Sequence, residues 1–378
     1  MHKYFMYIFF KENHISFTVF TIFAKKIVMS DFHKLSIQHI TRETPLAVSI
    51  TFAVPTALQD AYSFIPGQYI TIKTTIEGKE VRRAYSICSS PKSDILKVAV
   101  KEITGGTFSV IANNKLKEGD VLEVHTPEGN FSLTPNAQAS NSYAAFAAGS
   151  GITPVMSMIK AILEEEPNSR FVLVYGNRTP EETIFYKELL ELQANYSNRL
   201  FIEFIYSRSQ EDNAHFGRIE KSTVNYVLKN KFKDISFTSF YLCGPEEMIN
   251  TVTSILLENG TTKDNIHFEL FTSSASATEI DTDLEGKSNI KVLVDDEEFN
   301  FTMDQKKTIL DAALDQNIDA PYSCQGGVCS SCICKITEGS AVMEKNSILT
   351  DGEIAEGLVL ACQAHPTSSS ITVDFDDV

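Results

Sequence analysis

The chain has 378 residues, 43% of them hydrophobic and 22% charged, with no tryptophan and a formal net charge of −16. That length provides two or three domains, each able to bury its own core, and so acidic a chain repels phosphate backbones, which excludes nucleic acid as a partner. The charge is uneven: from Lys287 onward there are 16 acidic and 6 basic side chains, a bias that either steers a basic protein partner or simply keeps the chain soluble.

Residues 1–28 differ from the remainder of the chain. Their apolar runs, 5–10 and 15–24, are separated by Lys11, Glu12, Asn13 and His14, and neither approaches the ~20 residues that span a bilayer. The segment lacks a good small-residue cleavage site for a signal peptide. It reads as an upstream start with Met29 as initiator; the alternative is an extension that associates with a membrane. Membrane integration is not expected, and the location expected is the cytoplasm.

From 29 to 137, short alternating stretches such as 69–73, 96–101 and 121–125 are broken by Glu77-Gly78 and Gly119-Asp120. Period-two alternation marks half-buried strands, and several at close spacing predict a small antiparallel β-barrel. Arg83-Ala84-Tyr85-Ser86 lies just after one such region, and Gly105-Gly106-Thr107-Phe108-Ser109 follows about 20 residues later. An arginine can hold a pyrophosphate bidentately, a tyrosine can lie flat on an extended ring, and a Gly-Gly turn offers N–H groups to phosphate. Together these residues suit a flavin cradle; alone, the first four also suit a basic strand end with a core tyrosine. Cys88 reads as an inert packed thiol.

From 138 to 272 the pattern changes. Strand-like runs at 144–148, 171–175, 201–206, 240–243 and 268–271 alternate with helical patterns at 154–163, 183–192 and 246–258. That alternation predicts βαβ units and a parallel sheet with helices on both faces. Gly149-Ser150-Gly151-Ile152-Thr153-Pro154 joins the first strand to the first helix, where backbone N–H groups and the helix dipole favour a pyrophosphate. Ser207-Arg208 follows the third strand and suits a phosphate, or is an exposed loop arginine. Tyr175-Gly176-Asn177-Arg178 and Cys243-Gly244-Pro245 also sit at strand ends, and Cys243 alone reads equally as a core thiol.

Residues 273–287 are small, polar and acidic, as in a flexible linker. From 288 to 378 a hairpin is expected around Asp295-Asp296, then a helix beginning at Thr308, whose spacing to Asp311 resembles a capping box. Cys324, Cys329 and Cys332, with Cys362 30 positions later, form C-x4-C-x2-C…C, the spacing of a [2Fe–2S] cluster. Gly326 and Gly327 let the backbone approach a cluster, and Ser323, Ser330 and Ser331 are small enough not to obstruct it. Tetrahedral zinc is the competitor, although it usually takes two C-x2-C pairs and only one exists. Seven cysteines so clustered argue for metal ligation in a reducing compartment, not a disulfide scaffold. Cys334 falls outside the pattern and reads as a small buried side chain or free thiol.

The segment from 290 onward resembles plant-type ferredoxin, which implies a β-grasp fold and one-electron transfer. Arg83-x-Tyr85-Ser86, Pro66-Gly67-Gln68-Tyr69 and the G-x-G-x-x-P loop resemble the ferredoxin–NADP reductase family over 32–272. The resemblance implies FAD at Arg83, Tyr85, Ser86, Gly105, Gly106 and Ser109, although FMN-using relatives share the first motif. It implies NADPH (or NADH) at Gly149, Gly151, Thr153, Pro154, Gly244 and Pro245, with Ser207 and Arg208 on the 2′-phosphate. Tyr85, Ser86, Cys243 and Glu269 would lie beside the reacting rings, and Cys324, Cys329, Cys332 and Cys362 would ligate the cluster. The order flavin, nucleotide, ferredoxin resembles oxygenase reductases, and the group of phenylacetyl-CoA epoxidase reductase subunits in particular. The implied function is NAD(P)H-dependent electron transfer to a di-iron oxygenase in phenylacetyl-CoA degradation. The alternatives are a reductase for a Rieske oxygenase, desaturase or hydroxylase, and a redox-sensing module, against which the nicotinamide motifs argue.

Overall fold

The computed structural model describes residues 32–271 and 284–378. The expectations for residues 1–28, and for most of the linker at 273–287, lie outside the described residues.

Strands β1 (Phe32–Thr44), β2 (Ala47–Ala53), β3 (Tyr69–Ile76), β4 (Lys79–Ser86), β5 (Leu96–Lys101) and β6 (Val121–His125) form one antiparallel sheet in the order β4-β3-β6-β1-β2-β5. A bridge between Ile87 and Val98 joins the two edge strands and closes the sheet into the expected barrel. Its interior takes alternate residues, Ile70 and Ile72 from β3 and Val98 and Val100 from β5, together with Phe108 of helix α1 (Phe108–Asn114). Closure leaves few unpaired edge groups.

The second sheet contains β7 (Ser142–Ala148), β8 (Arg170–Asn177), β9 (Leu200–Tyr206), β10 (His215–Phe216), β11 (Ser239–Cys243) and β12 (Ile266–Glu269), all parallel, in the order β10-β9-β8-β7-β11-β12. Helices α2 (Ile152–Glu165), α3 (Tyr186–Asn195), α4 (Lys221–Tyr226) and α5 (Glu246–Glu258) connect the strands. Each face has its own core. Ala145, Ala147, Leu173 and Tyr175 join one, and Ala144, Phe146, Val172 and Val174 join the other. Residues of one strand thus alternate between two dry faces, which is why these strands are apolar throughout. The helix expected over 183–192 begins later, at Tyr186, because Phe185 takes a left-handed φ of 62°. The last strand lies two residues earlier than expected, its register set by pairing Ile266 with Phe240.

The C-terminal sheet contains β13 (Lys287–Val294), β14 (Glu297–Asp304), β15 (Ile333–Glu338), β17 (Leu358–Leu360) and β19 (Ser370–Asp374), in the order β14-β13-β19-β15-β17; β16 (Ala341–Met343) pairs with β18 (Ala364–Pro366). Helix α6 (Ile309–Asp315) buries Ile309, Leu310, Ala312 and Ala313 in the same core as the sheet, a β-grasp arrangement, and α7 (Asp351–Ala355) precedes β17. Thr308 caps α6 by accepting the Asp311 N–H at 3.1 Å. Both residues of the Asp295-Asp296 turn have positive φ, and their N–H groups donate to the Asp376 carboxylate at 2.9 Å each. No helix among the described residues is long and apolar enough to cross a membrane.

Candidate functional site

One cleft of ≈ 910 Å³ is walled by residues from all three domains. On the barrel side, Arg83, Tyr85 and Ser86 line it from the end of β4, and Ser109 from α1. The Tyr85 ring lies 5.6 Å from that of Phe108, and burial pushes its hydroxyl above the ordinary range. Ser86 Oγ donates to Glu269 Oε2 at 3.2 Å. Loss of hydration raises the Glu269 carboxyl to about 8, and the Ser86 hydrogen bond offsets only part of this. Gly105 and Gly106 do not line the cleft; they shape the turn before α1, where Ser109 Oγ accepts the Ile103 N–H at 3.2 Å.

On the nucleotide side, Gly149, Gly151 and Thr153 line the cleft, while Pro154 is buried in the first turn of α2. Gly151 is required by close approach: a Cβ there would lie 2.0 Å from the carbonyl oxygen of Cys243. The two phosphate-type turns therefore touch through their backbones. Cys243 is wholly buried, burial drives its thiol well up with Glu269 adding to the effect, and its neighbours Gly244 and Pro245 form the wall instead. Ser207 and Arg208 reach the cleft beside Arg178, and their backbone N–H groups bond to Asn177 and Arg178 carbonyls at 3.0 and 2.9 Å. Arg178 is engaged by Glu182 at 3.7 Å. Among the described residues, Arg208 and Arg218 have no carboxylate within ion-pair distance, so their guanidinium groups are available to phosphate. Glu102, Glu220 and Glu247 share the cleft, so recognition rests on individual guanidinium positions and not on net charge.

The cysteines form two pairs. Cys329 Sγ lies 3.0 Å from Cys324 Sγ, and the Cys332 and Cys362 side chains hydrogen-bond to one another. The bond from Cys329 and the N–H of Gly326, 3.3 Å away, hold Cys324 below the ordinary thiol range. Two pairs suit two irons with two thiolates each; among the described residues, no three His, Cys, Asp or Glu side chains converge as a single ion would need. The donor set therefore fits the [2Fe–2S] group better than zinc. Cys324 and Cys329 line the cleft, whereas Cys332 and Cys362 are buried behind it. Val328, between the first two, packs into the core of the parallel-sheet domain. Cys334 is wholly buried and belongs to neither pair.

Several residues at this site carried no functional assignment from sequence. Lys101 and Arg218 line the cleft, but neither lies in a recognisable pattern. Arg82 turns away from its neighbour Arg83 and bonds to Asp319 of the C-terminal domain at 2.8 Å. Two consecutive arginines on a strand point to opposite faces, a signal that could have revealed the second contact.

A flavin-type barrel, a nucleotide-type parallel sheet and a two-iron cysteine set around one cleft define an NAD(P)H-dependent iron–sulfur flavoprotein oxidoreductase. Family models match in the same order: an oxidoreductase FAD-binding domain over 35–133, an oxidoreductase NAD-binding domain over 146–254 and a 2Fe-2S iron-sulfur cluster binding domain over 292–367. The chain is 39% identical to a subunit of 1,2-phenylacetyl-CoA epoxidase from Escherichia coli (strain K12), over 92% of this chain and 99% of that protein. It is 32% identical to the ferredoxin reductase component of 3-ketosteroid-9-alpha-monooxygenase from Rhodococcus rhodochrous, over 90% and 96%. The solved phthalate dioxygenase reductase shares the fold, with a TM-score of 0.58 and 23% identity over 92% of this chain and 100% of that one. The chain belongs to this family of reductases that join FAD-, NAD- and [2Fe–2S]-binding domains in one polypeptide.

Proposed function

We propose that the chain is the reductase component of a multicomponent oxygenase, moving electrons from NADPH, or NADH, to an oxygenase partner. The observation that carries this reading is the single cleft, in which Ser86, Glu269 and the paired Cys324 and Cys329 share a wall with the nucleotide turns. FAD and the [2Fe–2S] group, when bound, supply the redox chemistry, one taking an electron pair from nicotinamide and the other passing electrons singly.

The chain's own residues bind, orient and hold protons. Arg83 would grip the flavin pyrophosphate, Tyr85 would cover the ring, and Ser109 would complete the cradle beside the Gly105-Gly106 turn. Gly149, Gly151, Thr153 and Pro154 would present the start of α2 to the nucleotide pyrophosphate, with Gly244 and Pro245 opposite. Ser207 and Arg208 would hold a 2′-phosphate, which favours NADPH. At neutral pH the Glu269 carboxyl keeps its proton, beside the Ser86 hydroxyl. Cys243 acts from behind the wall, by packing.

The similarity to the phenylacetyl-CoA epoxidase protein spans nearly the whole of both chains, which favours phenylacetyl-CoA epoxidation as the partner's reaction and a di-iron centre as the acceptor. The cysteines, all free, suit the cytoplasm. Two measurements test the reading. Anaerobic NADPH should bleach the flavin band and produce the paramagnetic signal of a reduced [2Fe–2S] cluster. The protein should then sustain oxygenation of phenylacetyl-CoA by the cognate oxygenase subunits. Cytochrome c reduction without that coupling would retain the reductase and reject the acceptor.

A further inference from the structure

The cysteine loop does more than carry ligands: the two serines between Cys329 and Cys332 are anchored on the flavin barrel. Tyr69, the first residue of β3, is 3% exposed, and its hydroxyl lies 3.1 Å from Ser330 Oγ and 2.9 Å from Ser331 Oγ. Ser331 Oγ in turn donates to Glu128 Oε1 at 3.0 Å, and Thr71 donates to the same oxygen at 3.1 Å. Each hydroxyl has one proton to give. Ser331 spends its proton on Glu128, so it accepts from Tyr69, and Tyr69 is left to accept from Ser330. The chain of donors runs one way, from the cluster loop into the barrel, and ends on a carboxylate.

The platform beneath is stiff. Tyr69 and Glu128 exchange both backbone hydrogen bonds, at 2.9 Å each. Gly129 leaves room for the ring, since a Cβ there would come within 2.8 Å of two Tyr69 ring carbons. The loop is held from the other side by Val328 in the core of the nucleotide domain. Ser331 Oγ also lies 3.8 Å from Cys329 Sγ, so the anchored hydroxyl sits against a ligand.

We propose that Tyr69, supported by Glu128, is a positioning residue for internal electron transfer, clamping the Ser330-Ser331 segment so that the cluster pair Cys324 and Cys329 stays seated in the flavin cleft. This rests on the reductase reading above, but its test needs no oxygenase, so failure of acceptor coupling and failure of the clamp are separate results.

The test compares wild type, Tyr69→Phe and Ser331→Ala as holoproteins. Amide hydrogen exchange over 327–332 reports how often the loop lifts, and anaerobic stopped-flow reports how fast the cluster is reduced after the flavin. Each variant is expected to exchange about tenfold faster in this segment, equivalent to about 1.4 kcal/mol. Each is also expected to slow flavin-to-cluster transfer, while Ser331→Ala leaves flavin reduction by NADPH at its wild-type rate. Should Tyr69→Phe not fold, Ser331→Ala carries the test, because it breaks the same chain from the cluster side. Unchanged exchange overturns the clamp. Faster exchange with unchanged cluster reduction also overturns the proposal, since Tyr69 would then be a packing contact only.

Discussion

Replacing Arg82 with methionine should loosen the C-terminal domain from the barrel by about 2 kcal/mol. The Arg82 side chain is 6% exposed, with Nε 2.8 Å from Glu80 Oε1 and Nη2 2.8 Å from Asp319 Oδ1. Its guanidinium also lies 4.3 Å from the ring centroid of Tyr322, whose hydroxyl donates to Glu80 at 3.2 Å. Two carboxylate bonds to a buried cation would by themselves contribute about 1.5–3 kcal/mol each. Glu80 and Asp319 are 45% and 76% exposed, however, and water screens such pairs to about 0.5–1 kcal/mol apiece. The stacked ring adds about 1 kcal/mol where the cation is desolvated. Methionine keeps the apolar stem in place, and both carboxylates left behind reach solvent, so no buried charge is stranded. The assay is urea unfolding of the holoprotein followed at the cluster absorption bands, where a lower midpoint at unchanged slope reads as lost stability. Pairing Arg82→Met with Asp319→Asn in a double-mutant cycle should give about 0.5–1 kcal/mol of coupling, and added salt of about 0.5 M should remove part of it while sparing the Tyr322 contact, since the Debye length falls to a few Å near ~1 M. A loss below about 0.5 kcal/mol for Arg82→Met, the range of ordinary surface changes, would refute the view that this pair docks the domains.

Three further outcomes can be checked. Gly151→Ala places its Cβ against the Cys243 carbonyl; the two backbones must part at a cost of about 1–3 kcal/mol, read as a lower Tm together with a higher KM for NADPH. Glu269, raised to about 8, holds its proton longer in the folded state than in the unfolded one, so stability falls as pH rises from the ordinary carboxylate range to about 8. Glu269→Gln should flatten that slope in denaturation at several pH values and remove an inflection near 8 from the pH profile of flavin reduction; an unchanged profile would exclude this carboxyl. Cys362→Ser should abolish the [2Fe–2S] absorbance, whereas Cys334→Ala should keep full cluster content and lose only about 1 kcal/mol for its small cavity.

Local pattern determined much of this molecule. Strands 96–101 and 121–125 and the helix at 246–258 stand where their periodicity placed them, because alternation and helical repeat depend on neighbours a few residues apart. The C-x4-C-x2-C spacing likewise marks the cluster loop, since a tight wrap around two irons is a local demand. Phe185 shows where local reading stops: nothing in its neighbourhood requires φ of 62°, and the helix start moved because of it. The site itself is built from pairs far apart in the chain. Ser86 and Glu269 are separated by 183 positions, Arg82 and Asp319 by 237, and Tyr69 and Ser331 by 262. No periodicity spans such distances. Two features depended on three separately predictable domains closing around one cleft: the sorting of four cysteines into two pairs, and the anchoring of their loop on Tyr69. Those contacts form only when independent cores dock, and a hydroxyl or guanidinium finds its partner there by position in space, not by place in the chain.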